Sequence, residues 1–252
     1  MPFTHSAGRR IHYEVSGTGP ALLLHHGFTS TAQAWRFFGF TDVLQQHYRV
    51  IVLDALGHGL SDKPHDSSAY SLQQRSADVV AVLDELQIAQ VHFCGYSMGG
   101  WVGYGMARHA RQRLTSLILG AAHPYADPSW DAFKDIDGND PTAFITAFES
   151  VLDESISEEV SMLVRANDLA ALAAAAQQPR QDMTELLAQI KVPCLMFCGD
   201  ADARHAAVKR ATAELAQGQF VSLPGVTHFG GLMQSALVLP PLLAFLARQQ
   251  PG

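Results

Sequence analysis

The feature that most constrains the fold is a regular alternation between short apolar runs and helical patterns. Six runs of five to eight residues are apolar almost throughout. They cover residues 21–26, 49–54, 91–96, 114–120, 192–199 and 219–223. Such continuous runs are typical of parallel strands that are covered on both faces. Because helical patterns separate most of them, the sequence predicts a doubly wound α/β sheet with right-handed crossovers.

Two further strands are predicted before these runs. Residues 9–15 alternate between polar and apolar, and the preceding Ser-Ala-Gly can turn them back on residues 2–6 as an edge hairpin. The sheet is therefore expected to be eight-stranded and mostly parallel. The clearest helix begins after Ser71, where Gln74 occupies the capping-box position and apolar residues then recur at helical spacing.

The alternation stops between residues 122 and 190, where no convincing strand pattern occurs. Helices are predicted there at 141–153, 157–177 and 181–190. Because strands resume afterwards, this segment is interpreted as an insertion and not as a separate unit. The predicted organisation is a core of residues 1–121 and 191–252 with a helical cap of residues 122–190.

Composition and charge exclude several classes of protein. Hydrophobic residues make up 48% of the 252 residues and charged residues 16%, which is wrong for a disordered chain. The net charge of −7, without a basic cluster, argues against a nucleic-acid or anionic-membrane binder. No apolar run has the length of a membrane span or signal-peptide core. Three cysteines in apolar runs, Cys94, Cys194 and Cys198, indicate buried free thiols, so a soluble, cytoplasmic protein is expected.

The strongest chemical signal is Gly-Tyr-Ser-Met-Gly at 95–99, between a predicted strand and a predicted helix. G-x-S-x-G at such a junction is typical of a nucleophile elbow. Gly95 and Gly99 leave room for the sharp turn, and Ser97 is held in a strained backbone with its hydroxyl exposed. The alternative, a glycine-rich turn with an incidental serine, is disfavoured by the flanking elements.

A serine nucleophile needs a general base and an acid that orients the base. His228 lies in Pro-Gly-Val-Thr-His, after the last predicted strand, and fits the chain order of serine, acid, histidine. Asp200 and Asp202 are the two candidates for the acid, at the end of a strand expected to lie beside the nucleophile strand. Asp200 is expected to cap its own turn, so Asp202 is favoured; Asp127 is a weaker third option.

Two backbone N–H groups are predicted to form an oxyanion hole. Gly27 ends the strand at 21–26 and allows the N–H of Phe28 to point at the serine. The second donor is the N–H of Met98, the residue after the nucleophile. The preceding His25 and His26 are expected to form a buried pair that is hydrogen-bonded to loop backbone.

Taken together, these motifs resemble those of the α/β-hydrolase superfamily along nearly the whole chain. Five segments follow the family's order and approximate spacing: HGF at 26–28, DALGHGLSD at 54–62, GYSMGG at 95–100, GDAD at 199–202 and PGVTH at 224–228. The resemblance implies an α/β-hydrolase fold and a serine hydrolase. It also implies that the acid is the fourth residue of G-x-x-D, which is Asp202. In one departure, Leu56 stands where the family usually has arginine.

Three other residues invite a functional interpretation. His58 and Asp62 are expected to stabilise their turn, since no second cluster at ligand spacing indicates a metal. Trp101, one turn after Ser97, is expected to be packing. No metal or cofactor is predicted, because the serine, the histidine and backbone donors complete the chemistry.

The leading functional hypothesis is hydrolysis of a small or medium carboxylic ester through an acyl-enzyme, as in a carboxylesterase. A lactonase acting on an enol-lactone or an acyl-homoserine lactone would use the same triad. Perhydrolysis and carbon–carbon bond cleavage are less favoured. A non-catalytic ligand receptor on the same fold is also less favoured, because all three triad positions are filled. The expected partner is a small-molecule ester or lactone, without nucleic acid or membrane; the sequence leaves the oligomeric state open.

Overall fold

A computed structural model describes residues 2–249, in which eight strands form one sheet. The strands are β1 (Phe3–Ser6), β2 (Arg9–Ser16), β3 (Ala21–His25), β4 (Arg49–Leu53), β5 (Val91–Tyr96), β6 (Leu114–Gly120), β7 (Cys194–Gly199) and β8 (Gly218–Leu223). Their order is β1-β2-β4-β3-β5-β6-β7-β8. Strand β2 pairs antiparallel with both β1 and β4, and the other pairs are parallel. The predicted mostly parallel, eight-stranded sheet is confirmed.

Helices cover both faces of this sheet. Over residues 2–249 the α-helices are α1 (Gln33–Phe37), α2 (Phe40–Leu44), α3 (Leu72–Glu85), α4 (Met98–His109), α5 (Pro141–Leu152), α6 (Glu158–Arg165), α7 (Leu169–Ala176), α8 (His205–Ala213) and α9 (Ser235–Ala247). Helix α3 begins as predicted, with the Ser71 hydroxyl accepting from the Gln74 N–H at 3.2 Å. The Gln74 side chain, however, donates to Ser6 and Asp78, so the reciprocal half of the capping box is not made.

The core lies between the sheet and the helices. Strand β5, at the centre of the sheet, is buried along its whole length, as a strand covered on both faces should be. Strand β8 differs, because only Leu223 among its residues is buried. Strand β8 lies at the edge of the sheet and has a neighbouring strand on one side only. The prediction from its apolar run that the strand is covered on both faces was therefore wrong.

The segment between β6 and β7 is helical, and no strand occurs in its described residues. The helix predicted at 157–177 is two helices, α6 and α7, because the Asp168 carboxylate caps a new helix by accepting from the Ala171 N–H at 3.0 Å. The helix predicted at 181–190 is only a 3₁₀ turn at Thr184–Leu186. Asp182 caps that turn, since its side chain accepts from the Thr184 N–H.

Aromatic side chains join this segment to the loop that follows β3. The ring of Phe28 lies 5.3 Å from Trp130, 5.7 Å from Phe133 and 6.2 Å from Phe144, measured between centroids. These residues belong to the same buried cluster as the sheet. Within residues 2–249 no helix has both the length and the hydrophobicity to cross a bilayer. The three cysteines are buried and unpaired, as predicted.

Candidate active site

The predicted elbow is a sharp turn between β5 and α4. Ser97 has φ 52° and ψ −110°, a backbone conformation that residues with a side chain rarely adopt. A Cβ atom on Gly95 would overlap the carbonyl of Gly99, and one on Gly99 would overlap the carbonyl of His25. Glycine is therefore required on both sides, and the strained turn leaves the serine hydroxyl partly exposed.

The structure brings the predicted serine, histidine and acid together from three different loops. His228 Nε2 lies 2.9 Å from Ser97 Oγ, and His228 Nδ1 lies 2.7 Å from Asp202 Oδ2. Both His228 and Asp202 are buried. The imidazole is thus hydrogen-bonded between a hydroxyl and a carboxylate, which is the arrangement that activates a serine.

The other two carboxylates considered for the acid have different partners. Asp200 accepts a hydrogen bond from the Gly225 N–H at 2.7 Å, so it links two loops and does not cap its own turn as expected. Asp127 accepts from the N–H and hydroxyl of Ser129. The strand before the acid, β7, was predicted to lie beside the nucleophile strand β5. This prediction was wrong, because β6 lies between β5 and β7. Asp202 still reaches the histidine, since it lies in the loop beyond the end of β7.

The environment of Asp202 keeps it ionised. Its Oδ1 accepts from the Arg204 N–H at 2.9 Å, and the Cys198 thiol lies 3.4 Å from Oδ2. Burial by itself raises the pKa of this carboxyl. The hydrogen bond from His228, helped by the N–H and charge of Arg204, outweighs burial and holds the pKa below its ordinary value. A carboxylate is therefore available to hold the imidazole at neutral pH.

Two contacts fix the loop that carries His228. The Tyr96 hydroxyl donates to the carbonyl of His228 at 2.6 Å. Glu154, just after α5, accepts from the Thr227 hydroxyl at 2.8 Å and from the Phe229 N–H at 3.4 Å. Sequence reasoning missed both residues. Tyr96 carries a weak signal as the variable position before the serine, whereas nothing in the sequence connects Glu154 with a loop more than seventy residues away.

The two predicted oxyanion donors lie beside the serine. A Cβ atom built on Gly27 would lie 3.6 Å from the Cβ of Ser97, so the loop after β3 passes directly against the elbow. Within residues 2–249 the N–H of Phe28 has no hydrogen-bond acceptor. The N–H of Met98 opens helix α4, where first-turn N–H groups have no partner inside the helix. Both groups are free to donate to an oxygen bound next to Ser97.

The histidines near the elbow are structural, as expected. His25 Nδ1 lies 3.0 Å from the His26 carbonyl, and His26 Nδ1 lies 2.7 Å from the Gly27 carbonyl. His26 Nε2 accepts from the Ala55 N–H at 3.0 Å. Burial is the main cause that lowers the pKa of His25 to about 3. These rings stay neutral and brace the loop that carries Phe28.

The loop at 54–62 is held by the residues that the sequence assigned to its turn. His58 Nδ1 lies 3.1 Å from the Leu56 carbonyl, and Asp62 pairs with Arg10 at 3.0 Å. Leu56 itself is buried in the core, at the position where the family usually has arginine. Among residues 2–249, no three histidine, cysteine, aspartate or glutamate side chains are grouped so that they could hold a metal ion.

A cavity of about 700 Å³ opens over Ser97 and His228. Its wall is mainly apolar and is shared between the core loops and the segment 122–190. Large side chains that line it include Phe28, Trp101, Trp130, Phe148, Leu152 and Leu163. Trp101 is packed in the buried cluster, as expected, but it also lines the cavity, with its ring 3.8 Å from Cζ of Arg180. No sequence pattern indicated Arg180.

Comparison with known proteins agrees with this fold. The family model described as "Alpha/beta hydrolase family" matches residues 22–238, and the chain therefore belongs to the alpha/beta hydrolase family. A candidate 2-succinyl-6-hydroxy-2,4-cyclohexadiene-1-carboxylate synthase of Bacillus subtilis (strain 168) is 27% identical over 79% of this chain and 81% of its own length.

Two further similarities span most of the chain. 3-Oxoadipate enol-lactonase 1 of Acinetobacter baylyi is 26% identical over 79% of this chain and 78% of the relative. The crystal structure of a hydrolase from Pseudomonas aeruginosa PA01 superimposes with a TM-score of 0.83 at 26% identity and covers 97% of each chain.

Proposed function

We propose that the protein hydrolyses a small or medium carboxylic ester through an acyl-enzyme intermediate. The observation that carries the proposal is the continuous hydrogen-bonded chain from Asp202 through His228 to Ser97, which ends on a hydroxyl that borders a largely apolar cavity. Serine activated in this way is the nucleophile of acyl-transfer enzymes on several unrelated folds.

In the first half of the reaction, Ser97 Oγ attacks the ester carbonyl while His228 Nε2 takes the hydroxyl proton. Asp202 accepts a hydrogen bond from Nδ1, which fixes the tautomer with Nε2 free and stabilises the imidazolium that forms. The negative charge that develops on the carbonyl oxygen is met by the N–H groups of Phe28 and Met98. The proton on His228 then passes to the leaving alkoxide, and the acyl group remains on Ser97.

In the second half, water attacks the acyl carbon. His228 removes the proton from this water, the same two N–H groups hold the second oxyanion, and the bond to Ser97 Oγ breaks. His228 returns the proton to the serine, and the carboxylic acid leaves. The sum is ester plus water giving acid plus alcohol.

We further propose that residues 122–190 act as a cap on a core formed by residues 1–121 and 191–252. Three observations support this division: the strands stop at β6 and resume at β7, the intervening helices supply much of the cavity wall, and Glu154 touches the histidine loop. A wall of this kind excludes water and selects the acyl group. Its volume of about 700 Å³ suits a small or medium substrate better than a polymer.

Lactone hydrolysis is the second candidate, and the sequence relative that is an enol-lactonase favours it. A lactone is an internal ester, so the same groups would act in the same order and the alcohol would stay attached to the acid. A non-catalytic receptor is less favoured, because such a protein needs no imidazole hydrogen-bonded at both nitrogens. The cytoplasmic location proposed for the protein is supported by its three buried, unpaired thiols.

The test is turnover on a panel of simple alkyl esters and lactones, followed by proton release at constant pH. The control is Ser97→Ala, which removes only the nucleophile. Turnover of esters or lactones that disappears in the variant supports the proposal, and the ratio between the two substrate classes decides between esterase and lactonase. A purified, folded protein that turns over neither class would refute it.

A further inference from the structure

One cation in the cavity wall lacks the partners that its neighbours have. Arg180, between α7 and β7, places its Cζ 3.8 Å from the ring centroid of Trp101 and 4.2 Å from that of Trp130. The guanidinium is therefore in contact with two indole rings. In the described residues 2–249 it donates no hydrogen bond and has no carboxylate within ion-pair distance.

Two nearby arginines show what a satisfied guanidinium looks like in this region. Arg75 donates to the carbonyls of Tyr70 and Ala175 at 3.0 and 3.1 Å. Arg204 donates to the carbonyl of Val151 at 2.6 Å and lies 3.6 Å from the carboxylate of Asp127. Arg180 makes no comparable contact, although its guanidinium offers five N–H donors and is only half-buried, so these donors are open to a bound molecule.

Contact with the rings favours one direction for these donors. Arginine usually meets an aromatic ring with its flat face, which leaves its N–H groups free around the edge, in the plane where a carboxylate forms two parallel hydrogen bonds. Trp101 follows Ser97 by one turn of α4, a rise of about 6 Å along the helix. Arg180, Trp101 and Ser97 all line the same cavity.

The other charges that border the cavity are already engaged. Lys63 donates to the carbonyls of Gly59 and Ser61. Asp168 pairs with His65 and caps α7. Asp127 is held by Ser129 and Arg204; its charge raises the pKa of Arg180, but less than withdrawal from water lowers it. Among the described residues, Arg180 is thus the lysine or arginine of the cavity wall whose side chain makes no hydrogen bond and no ion pair.

We propose that Arg180 anchors a carboxylate of the substrate, so that the protein acts on an ester or lactone that also carries a free carboxylate. This inference rests on the proposed hydrolytic function and adds the charge of the substrate to it. The carboxylate lies against the edge of the guanidinium while the ester carbonyl lies at Ser97, and the apolar wall packs the carbons between them. The competing explanation is that Arg180 only ties Trp130, in the segment 122–190, to Trp101.

The kinetic test compares monoethyl glutarate, which is ionised at pH 7.5, with neutral diethyl glutarate. Hydrolysis of the first gives ethanol and glutarate. The wild type should prefer the monoester. In Arg180→Gln, kcat/KM for the monoester should fall about 30-fold, mainly through KM, because a charge-assisted pair is lost. Diethyl glutarate should change by less than about twofold, which also shows that the variant is folded.

Two further variants separate anchoring from structure. Arg165→Gln changes the net charge by the same amount as Arg180→Gln, but it removes an exposed cation of α6 that does not line the cavity. It should therefore leave the monoester preference unchanged. Arg180→Lys keeps the charge but loses the planar fork, and it should retain part of the preference. If Arg180→Gln slows both esters equally, or if the wild type has no preference for the monoester, the anchor is refuted.

A binding measurement is independent of turnover. In the Ser97→Ala background, calorimetric titration with monoethyl glutarate should detect binding that is weakened about 30-fold by Arg180→Gln. If the wild type hydrolyses no ester but this binding depends on Arg180, the proposed hydrolysis fails and the anchor stands. If esters are hydrolysed but binding of the monoester is unaffected by Arg180→Gln, hydrolysis stands and the anchor fails.

Discussion

The elbow and the segment 122–190 both border the cavity, but they are held in different ways. At the elbow, backbone geometry leaves no freedom: Gly95 and Gly99 allow carbonyl groups to approach closely, and Ser97 is fixed by its own φ of 52°. The segment 122–190 reaches the site mainly through side chains, such as Glu154 on the histidine loop and Arg180 between two tryptophans.

This difference in how the two regions are held separates the chemical step from substrate selection. In the proposed reaction, groups fixed by the backbone at the carboxyl ends of the strands would act on every substrate, because they would contact the reacting bond itself. Groups presented by side chains of the segment 122–190 would act on the part of the substrate that does not react. Substitutions at the first set should abolish turnover, and substitutions at the second set should change how well particular substrates are bound or how steadily the histidine is held.

The largest effect is expected from Ser97→Ala. Loss of the nucleophile from a triad lowers turnover by about 10⁶-fold. The hydroxyl borders the cavity and is not part of the core, so the melting temperature should stay close to that of the wild type. Steady-state kinetics and thermal unfolding measure the two quantities. A variant that keeps a tenth of the wild-type turnover would remove Ser97 from the reaction.

The next largest effect is expected from Asp202→Asn. The amide keeps the shape of the carboxylate but favours the wrong imidazole tautomer, and turnover should fall by about 10⁴-fold. Asp200→Asn is the matched control, because Asp200 only accepts from the Gly225 N–H and should retain most activity. Equal losses in the two variants would show that loop structure, and not orientation of His228, limits the rate.

Glu154 should have an intermediate effect, because it positions His228 without touching substrate. Glu154→Gln weakens the acceptors for Thr227 and Phe229, so kcat should fall about tenfold with little change in KM. Glu149→Gln, on the same segment, is the control: Glu149 accepts from the Ile156 N–H and does not contact the histidine loop. Equal activity of the two variants would mean that Tyr96 alone holds the loop.

The smallest effect concerns stability at low pH. The pKa of Asp202 is held below its ordinary value of 3.8, so its ionisation stabilises the folded state above that value. This contribution should be lost as the pH falls from about 4 through the lowered pKa. Denaturant titrations of the wild type and Asp202→Asn should therefore give free energies of unfolding that converge below pH 4. A difference that stays constant to the lowest pH would contradict the lowered pKa.

The sequence predicts a feature of this structure well when the residues that determine the feature lie close together in the chain. Ser97 and its glycines lie within five residues, and His228 and Asp202 lie in short motifs of their own, so all three could be proposed as a triad without a structure. The strands were predicted for the same reason, since each is a local apolar run. The burial of the edge strand β8 was predicted wrongly, because burial depends on neighbouring strands and helices that come from other parts of the chain.

Features that depend on contacts between distant segments could not be predicted. Arg180 looks like an ordinary polar residue of a loop, and only the fold places it between Trp101 and Trp130. Glu154 meets the histidine loop across a similar gap in the chain. The break at Asp168 was missed because its capping contact competes with a run of good helix formers on both sides. Competition of this kind is decided by the packing of each helix.

The most direct test of the account is covalent trapping of the nucleophile with a fluorophosphonate, followed by intact-protein and peptide mass spectrometry. We expect one phosphonyl group per chain, on the peptide that contains Ser97. Ser97→Ala should not be labelled, and labelling of Asp202→Asn should be slower than that of the wild type. A folded wild-type protein that takes up no label, or that carries it on another residue, would contradict the assignment of Ser97, His228 and Asp202.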